Sequence, residues 1–223
     1  MVTIRKDALV TGETYHIFTR SIAGYEVFTS EASYERFINA IRYYNQISPG
    51  INFSKYLELR SELKEEYLLR LEKDQIVRVV AYCLMPTHVH FVINQMKDRG
   101  ISKFMSNILN SYTRYFNMQH GRKGPLWESA FKNVLVKTDE QLLHLTRYVH
   151  LNPSSANLTS TPDEWKYSSY NEYVSETSPY AICDWRDLLE INPSQYRAFV
   201  RSRTQYQRSL SRIKSLLIDN YTG

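Results

Sequence analysis

Two histidines with one residue between them, His88 and His90, lie in the stretch MPTHVHFVIN over residues 85–94. The stretch alternates apolar with polar residues, which predicts a β-strand whose side chains point alternately to its two faces. Both imidazoles would then point to the same side, where they could bind one cation. Two partly exposed histidines of an ordinary strand fit the same pattern. Cys83 is a further candidate ligand, for zinc, although the Pro86 turn lies between.

A second candidate group lies in TDEQLLHLTRYVHLNP, over residues 138–153. Apolar residues recur there three and four positions apart, which predicts a helix. Pro153 disfavours a helical conformation of Asn152, so we expect the helix to end near that residue. Tyr148 and Asn152 are four residues apart and share one side of the helix, where a phenol oxygen and an amide oxygen could lie over the same spot. A core tyrosine followed by a C-capping asparagine is the alternative interpretation.

Strands and helices interleave along the chain. This order predicts one antiparallel or mixed sheet packed by helices, an α+β fold. We expect one domain over residues 1–157, with a charged helical insertion at about 48–75, and a basic helical C-terminal extension over 158–223. Strand composition occurs at 14–22, 76–84, 88–94 and 131–137, and helical spacing at 33–47, 102–118 and 138–152.

The charge distribution favours a polyanionic partner. The net charge is +5, and eight Lys or Arg against two acidic residues lie between Lys97 and Lys137. Six more basic residues and no acidic residue lie between Arg197 and Lys214. The N-terminus lacks the apolar region of a signal peptide, and no apolar run approaches the roughly 20 residues that span a bilayer. We therefore expect a cytoplasmic protein with no membrane partner.

Four segments together resemble a known family. YCLMPTHVHFVINQ, ISKFMSNILNSYTRYFN, GPLWESAFK and HLTRYVHLNP, in this order and spacing, resemble the HUH single-tyrosine transposases. The resemblance is strongest to the REP-associated tyrosine transposases, relatives of the enzymes of small bacterial insertion sequences. It covers roughly residues 12–157. It implies a ferredoxin-like antiparallel sheet with helices on one side and the HUH motif on a central strand, and it makes residues 1–157 the catalytic domain.

The resemblance also implies roles for four residues. His88 and His90 would bind Mg²⁺ or Mn²⁺, Asn152 would supply a third ligand, and Tyr148 would be the nucleophile. Attack by Tyr148 would cleave a DNA strand next to a hairpin and leave a 5′-phosphotyrosine and a free 3′-OH, so that the strand can later be rejoined. The implied protein is a nucleoid-associated bacterial enzyme that acts on single-stranded DNA hairpins as a monomer or homodimer.

Basic residues should hold the DNA backbone, and Arg147 or Lys132 should also favour the phenolate of Tyr148. Thr87 departs from the family pattern, because relatives commonly have Asn before the first histidine. Two other functions remain open: a hairpin-binding or regulatory module that no longer cleaves, and a zinc-dependent hydrolase that uses Cys83. The predicted DNA-binding residues are Arg20, Lys103, Arg114, Arg122, Lys123, Lys132 and Arg147.

Overall fold

The computed structural model describes residues 7–47, 49–71, 75–128, 130–175 and 181–203. Within these ranges no helix is both long and apolar enough to cross a membrane. The strands are β1 (Thr14–Arg20), β2 (Val77–Met85), β3 (His88–Gln95) and β4 (Lys132–Val136). The helices are α1 (Glu31–Tyr44), α2 (Phe53–Glu58), α3 (Ser61–Leu71), α4 (Gly100–Gln119), α5 (Asp139–Ser155), α6 (Tyr170–Val174) and α7 (Pro193–Arg201).

The four strands form one antiparallel sheet in the order β2-β3-β1-β4. With α1 between β1 and β2, and α4 between β3 and β4, the chain makes a βαββαβ unit, so the predicted α+β fold and the central position of the HUH strand are confirmed. Pro86 and Thr87 form a two-residue turn that joins β2 to β3 as a hairpin. Helices α2 and α3 occupy the predicted insertion.

Helices cover both faces of the sheet. On one face, residues such as Ile17 and Phe91 are buried against α1 and α4, as the resemblance implied. The opposite face, which includes Cys83 and Val92, is buried against α5 and the segment after it. The resemblance implied helices on one side of the sheet only. This is true of α1 and α4, but α5 covers the other side. Nearly all residues of β2 are buried and apolar on both faces, so this strand needs a layer of helices on each side. We call the layer that contains α5 and the segment after it the second layer.

The C-terminal segment belongs to this second layer and shares the core of the sheet. Tyr173, Trp185 and Tyr196 are buried with Cys83 of β2. Backbone hydrogen bonds also join the segment to the outer edge of the hairpin: the amide of Leu84 donates to the carbonyl of Tyr167, and that of Ser169 to Tyr82. The edge of β2 is therefore covered. The basic run beyond residue 203 lies outside the described residues.

Helix α5 continues through Pro153 to Ser155, so the expectation that it ends near Asn152 is wrong. A proline at 153 removes the amide that would donate to the carbonyl of Val149. The Asn152 side chain offsets this loss, because its Nδ2 lies 3.5 Å from that carbonyl and donates to the Tyr148 carbonyl at 2.9 Å. Residues 148–152 thus form a continuous helical surface.

Candidate active site

The two histidines of the motif lie on the sheet face that α5 covers. Their ring centroids are 5.0 Å apart, as the alternation of β3 predicts for neighbours on one face. In the register of β1 and β3, Arg20 lies opposite His88 and Phe18 lies opposite His90. The motif is thus flanked by a cation and an aromatic ring from the next strand.

Tyr148 comes to the same place from α5. Its ring centroid lies 5.8 Å from that of His90, in an edge-to-face arrangement. Val149 and Leu142 of α5 are buried with residues of β2 and β3, which fixes the helix on the sheet. Tyr148 itself remains 37% exposed. The structure therefore brings the predicted nucleophile and the histidine pair together within one chain.

The imidazole nitrogens of the pair are arranged alike. Nδ1 of His88 lies 2.9 Å from the hydroxyl of Thr87, and Nδ1 of His90 lies 3.0 Å from Nε2 of His16. Over the described ranges, neither Nε2 has a hydrogen-bond partner. Burial lowers the pKa of His88 to about 4, with a contribution from Arg20, and burial lowers the pKa of His90 well below its usual value. Both rings are therefore neutral near pH 7 and able to donate a lone pair.

The donor set fits a hard divalent cation. The Asn152 amide nitrogen donates to carbonyls of its own helix, and these bonds do not use the amide oxygen. Two imidazole nitrogens and one amide oxygen are acceptable ligands for Mg²⁺ or Mn²⁺ when phosphate or water completes the shell. Among the residues that the structure describes, no three His, Cys, Asp or Glu side chains are grouped to hold a metal. The Asn152 amide is therefore the candidate that we consider for a third protein ligand.

Opposing influences act on the phenol of Tyr148. Burial raises its pKa, whereas the positive charge of Arg20 and a hydrogen bond from the Asn152 side chain lower it. Arg20 is thus the cation that favours the phenolate, a role that the sequence assigned to Arg147 or Lys132. Arg147 instead stacks on the ring of Phe199 in α7, with its guanidinium carbon 4.0 Å from the ring centroid.

Two of the predicted DNA-binding residues lie beside the site. Arg20 and Lys132 are both exposed, and they line a cavity of about 240 Å³ together with Phe18, Thr19 and Glu128. In the sheet, Phe18 lies between its register partners His90 and Lys132. The cavity therefore adjoins the histidine pair and carries two positive charges.

The other predicted DNA-binding residues are elsewhere. Lys103 and Arg114 are exposed on α4, which packs against the face of the sheet opposite to the site. Arg122 donates to Asn117 and to the carbonyl of Pro125, and Lys123 is exposed beside it. DNA binding by these four residues stays a prediction. If Lys103 and Arg114 bind DNA, they do so on a surface away from the histidine pair.

Sequence reasoning missed His16 and His150. His16 lies on the same face as the pair, and its ring centroid is 6.0 Å from that of Tyr148. The alternation of TYHIF in β1 offered a signal, since it places His16 and Phe18 together on one face. His150 is fully buried, with Nδ1 2.7 Å from the Tyr196 hydroxyl and Nε2 2.7 Å from Oγ of Ser169. Nothing in the sequence indicated those contacts.

Cys83 is a poor candidate for a zinc ligand. It lies opposite His90 in the register of β2 and β3, but it is completely buried and its sulfur contacts that of Met85 at 3.7 Å. Burial raises the pKa of its thiol well above the usual value, which opposes the thiolate that zinc requires.

Comparison with known proteins bears on the whole arrangement. Residues 53–152 match the family model "Transposase IS200 like", which ends at Asn152 and contains the histidine pair and Tyr148. These residues are thus similar to the IS200-like transposases. The resemblance drawn from the motifs is therefore confirmed.

Two similar proteins are informative. A Haemophilus influenzae protein, named by inference a REP-associated tyrosine transposase, is 24% identical over 105 residues, which are 43% of this chain and 60% of the relative. The chain thus spans about 60% of that relative's length. A solved structure of a REP-associated tyrosine transposase bound to a REP hairpin is 16% identical, with a TM-score of 0.52, over 85% of this chain and 95% of the other. This second likeness shows a shared fold.

Proposed function

We propose that this protein is a metal-dependent DNA strand transferase that cleaves and rejoins single-stranded DNA next to hairpins. The observation that carries the proposal is the meeting of Tyr148 with the pair His88 and His90 on one sheet face, with ring centroids of Tyr148 and His90 5.8 Å apart. A tyrosine beside two imidazole nitrogens that could hold a metal ion suits metal-assisted phosphoryl transfer to the phenol oxygen.

The reaction would form one bond and break one bond. The phenolate oxygen of Tyr148 attacks the scissile phosphorus, the bond to the 3′ oxygen breaks, and that oxygen takes up a proton. A 5′-phosphotyrosine and a free 3′-OH result, and a later attack by a 3′-OH reverses the step. Mg²⁺ or Mn²⁺ held by His88, His90 and Asn152 would polarise the phosphate as a Lewis acid. Arg20 favours the phenolate before attack.

Single-stranded DNA beside a hairpin is the substrate that we propose. The cavity next to the histidine pair offers Arg20 and Lys132 for phosphates and the half-buried ring of Phe18 for stacking with an unpaired base. The structural neighbour was solved with a REP hairpin, which makes a palindromic hairpin the first probe to try. Since one chain supplies every proposed group, we infer a monomer that acts in cis, in the bacterial cytoplasm where its DNA lies.

The test is a covalent-adduct assay with labelled hairpin oligonucleotides that carry single-stranded flanks. With Mg²⁺ or Mn²⁺ we expect a protein–DNA adduct that survives denaturation, and with EDTA none. Binding that persists in EDTA without any adduct, across hairpins taken from DNA flanking the gene, would support the second candidate, a hairpin-binding module that does not cleave. The burial that raises the pKa of Tyr148 favours this alternative, because a protonated phenol is a poor nucleophile.

A further inference from the structure

His88 and His90 each place Nδ1 against a polar atom of a neighbouring side chain. For His88 the neighbour is the hydroxyl of Thr87, at 2.9 Å, and for His90 it is Nε2 of His16, at 3.0 Å. Thr87 belongs to the hairpin turn, and His16 belongs to the central strand β1. Both neighbours are therefore held by the sheet itself.

The direction of these two hydrogen bonds decides whether the pair can bind a cation. A neutral imidazole carries one proton, on one nitrogen, and only the other nitrogen can act as a ligand. If Nδ1 carries the proton and donates, Nε2 of that ring is free to bind a metal. If the neighbour donates to Nδ1 instead, Nε2 carries the proton and cannot bind.

We propose that Thr87 and His16 are positioning residues that accept a hydrogen bond from Nδ1 of His88 and His90 respectively, and so present both Nε2 atoms as ligands. Hydroxyl oxygens accept such bonds, and Nε2 of His16 accepts one when its own proton is on Nδ1. Partners of this kind commonly fix the orientation and tautomer of metal-binding histidines. This role serves the proposed metal-dependent cleavage, but it can be tested without measuring cleavage.

The packing around His16 explains how it can hold one orientation. Its ring lies nearly parallel to that of His90, with centroids 5.2 Å apart, and it also contacts Phe18 at 4.9 Å. On the helix side it meets the ring of Tyr148 at 6.0 Å. His16, His90 and Tyr148 thus form a cluster of three rings, in which His16 belongs to neither motif.

The 3.0 Å separation also suits a different role, in which His16 and His90 bind the same cation through the two nitrogens that face each other. In that case Nδ1 of His90 must lack a proton, and its Nε2 must carry one. The two roles therefore require opposite tautomers of His90 once the metal is bound.

The experiment is a long-range ¹H–¹⁵N correlation spectrum of the histidine side chains, recorded on the full chain near pH 7.5, first without metal and then with Mg²⁺. We expect His88 and His90 to carry their proton on Nδ1 and His16 to lack one on Nε2. A proton on Nε2 of either His88 or His90 overturns the proposal. The wild-type spectrum alone decides this point, so the test does not depend on how a variant folds.

Matched variants measure the consequence for binding. In Thr87→Val and His16→Phe we expect the corresponding histidine to lose its fixed tautomer and the affinity for Mn²⁺, measured by calorimetry, to fall by about 10–100-fold. Thr87→Ser and His16→Gln keep an acceptor and should bind Mn²⁺ nearly as the wild type does. Unchanged tautomers and affinity in both Thr87→Val and His16→Phe would contradict the proposal.

The two proposals can fail separately. The expected tautomers with no adduct on any hairpin would leave the positioning role standing and remove the cleavage function. A metal-dependent adduct from a protein with Nε2 protonated on either ring would leave the function standing and remove this role for Thr87 and His16.

Discussion

His150 and the pair His88–His90 lie on the same side of the sheet, but their hydrogen bonding differs. Both nitrogens of His150 are bonded within the protein, to the hydroxyls of Tyr196 and Ser169. In the pair, only Nδ1 of each ring has a partner among the described residues, and each Nε2 is open. His150 is also fully buried, whereas Tyr148, two residues earlier on α5, is 37% exposed.

The difference distinguishes a histidine that stabilises the fold from two histidines that can each bind a ligand through Nε2. Ser169 also accepts from the backbone amide of Tyr82, so His150 links α5 both to β2 and to α7. That linkage fixes the helix that carries Tyr148. We therefore assign stability to His150 and chemistry to His88 and His90, and the following variants test this division.

The largest effect is expected from His88→Phe, which keeps the ring volume and removes the ligand nitrogen. Adduct formation with Mg²⁺ should fall by about 100–1,000-fold or more, the range for losing one group that stabilises transition-state charge. The free energy of unfolding, from urea titration, should change by less than about 1 kcal/mol, because His88 is only half-buried. A large loss of stability with normal cleavage would reverse the assignment.

His150→Phe should have the opposite signature. It removes the hydrogen bonds of both ring nitrogens with the buried hydroxyls of Tyr196 and Ser169, so we expect the free energy of unfolding to fall by about 2–4 kcal/mol. At a temperature where the variant is folded, its adduct yield should stay close to that of the wild type. Loss of cleavage in a folded and equally stable variant would show that His150 does more than hold α5 in place.

His150 should also make stability depend on pH. Burial lowers its pKa to about 3, below the value of 6.5 for an exposed histidine. The unfolded chain therefore binds a proton that the folded chain does not, so this contribution to stability is fully present above pH 6.5 and is lost progressively as the pH falls towards 3. The expected slope is about 1.4 kcal/mol per pH unit within that window. In His150→Gln, urea titrations at several pH values should give a shallower slope.

The smallest effects distinguish two arginines near Tyr148. Arg20 lowers the pKa of the phenol, so Arg20→Gln should raise it, move the rate profile to higher pH and slow adduct formation at pH 7.5 by about tenfold. Arg20→Lys keeps the charge and should retain most of the rate. Arg147→Gln is the matched control: it breaks the contact with Phe199, with little change in rate and at most about 1 kcal/mol in stability. Equal rate losses in the two Gln variants would contradict the distinction.

The sequence predicted the elements whose signal is local. The alternation of β3 placed both histidines on one face, and the helical spacing after Thr138 placed Tyr148 and Asn152 on one helix. It failed at the end of α5, where the Asn152 amide offsets the proline through carbonyls one turn earlier. It also failed at Arg147, whose direction depends on Phe199, some fifty residues later.

Local sequence patterns also did not predict the second layer on the sheet. Within 158–175 and 181–203 the helices are short, and individual side chains cover β2. Trp165 is one of them, and its indole donates to the carbonyl of Leu84. His16 illustrates the same limit at the site. A single histidine in a strand carries no motif, and its importance follows only from the register that sets β1 beside β3.

The most direct measurement is the identity of the tyrosine that carries DNA. After reaction of the wild type with a cleavable hairpin and Mg²⁺, peptide mass spectrometry should find the 5′-linked nucleotide on Tyr148, out of 18 tyrosines in the chain. Tyr148→Phe should fold normally and form no adduct, whereas Tyr25→Phe, at another exposed tyrosine, should react as the wild type does. An adduct in Tyr148→Phe, or a nucleotide mapped to a different residue, would contradict the account.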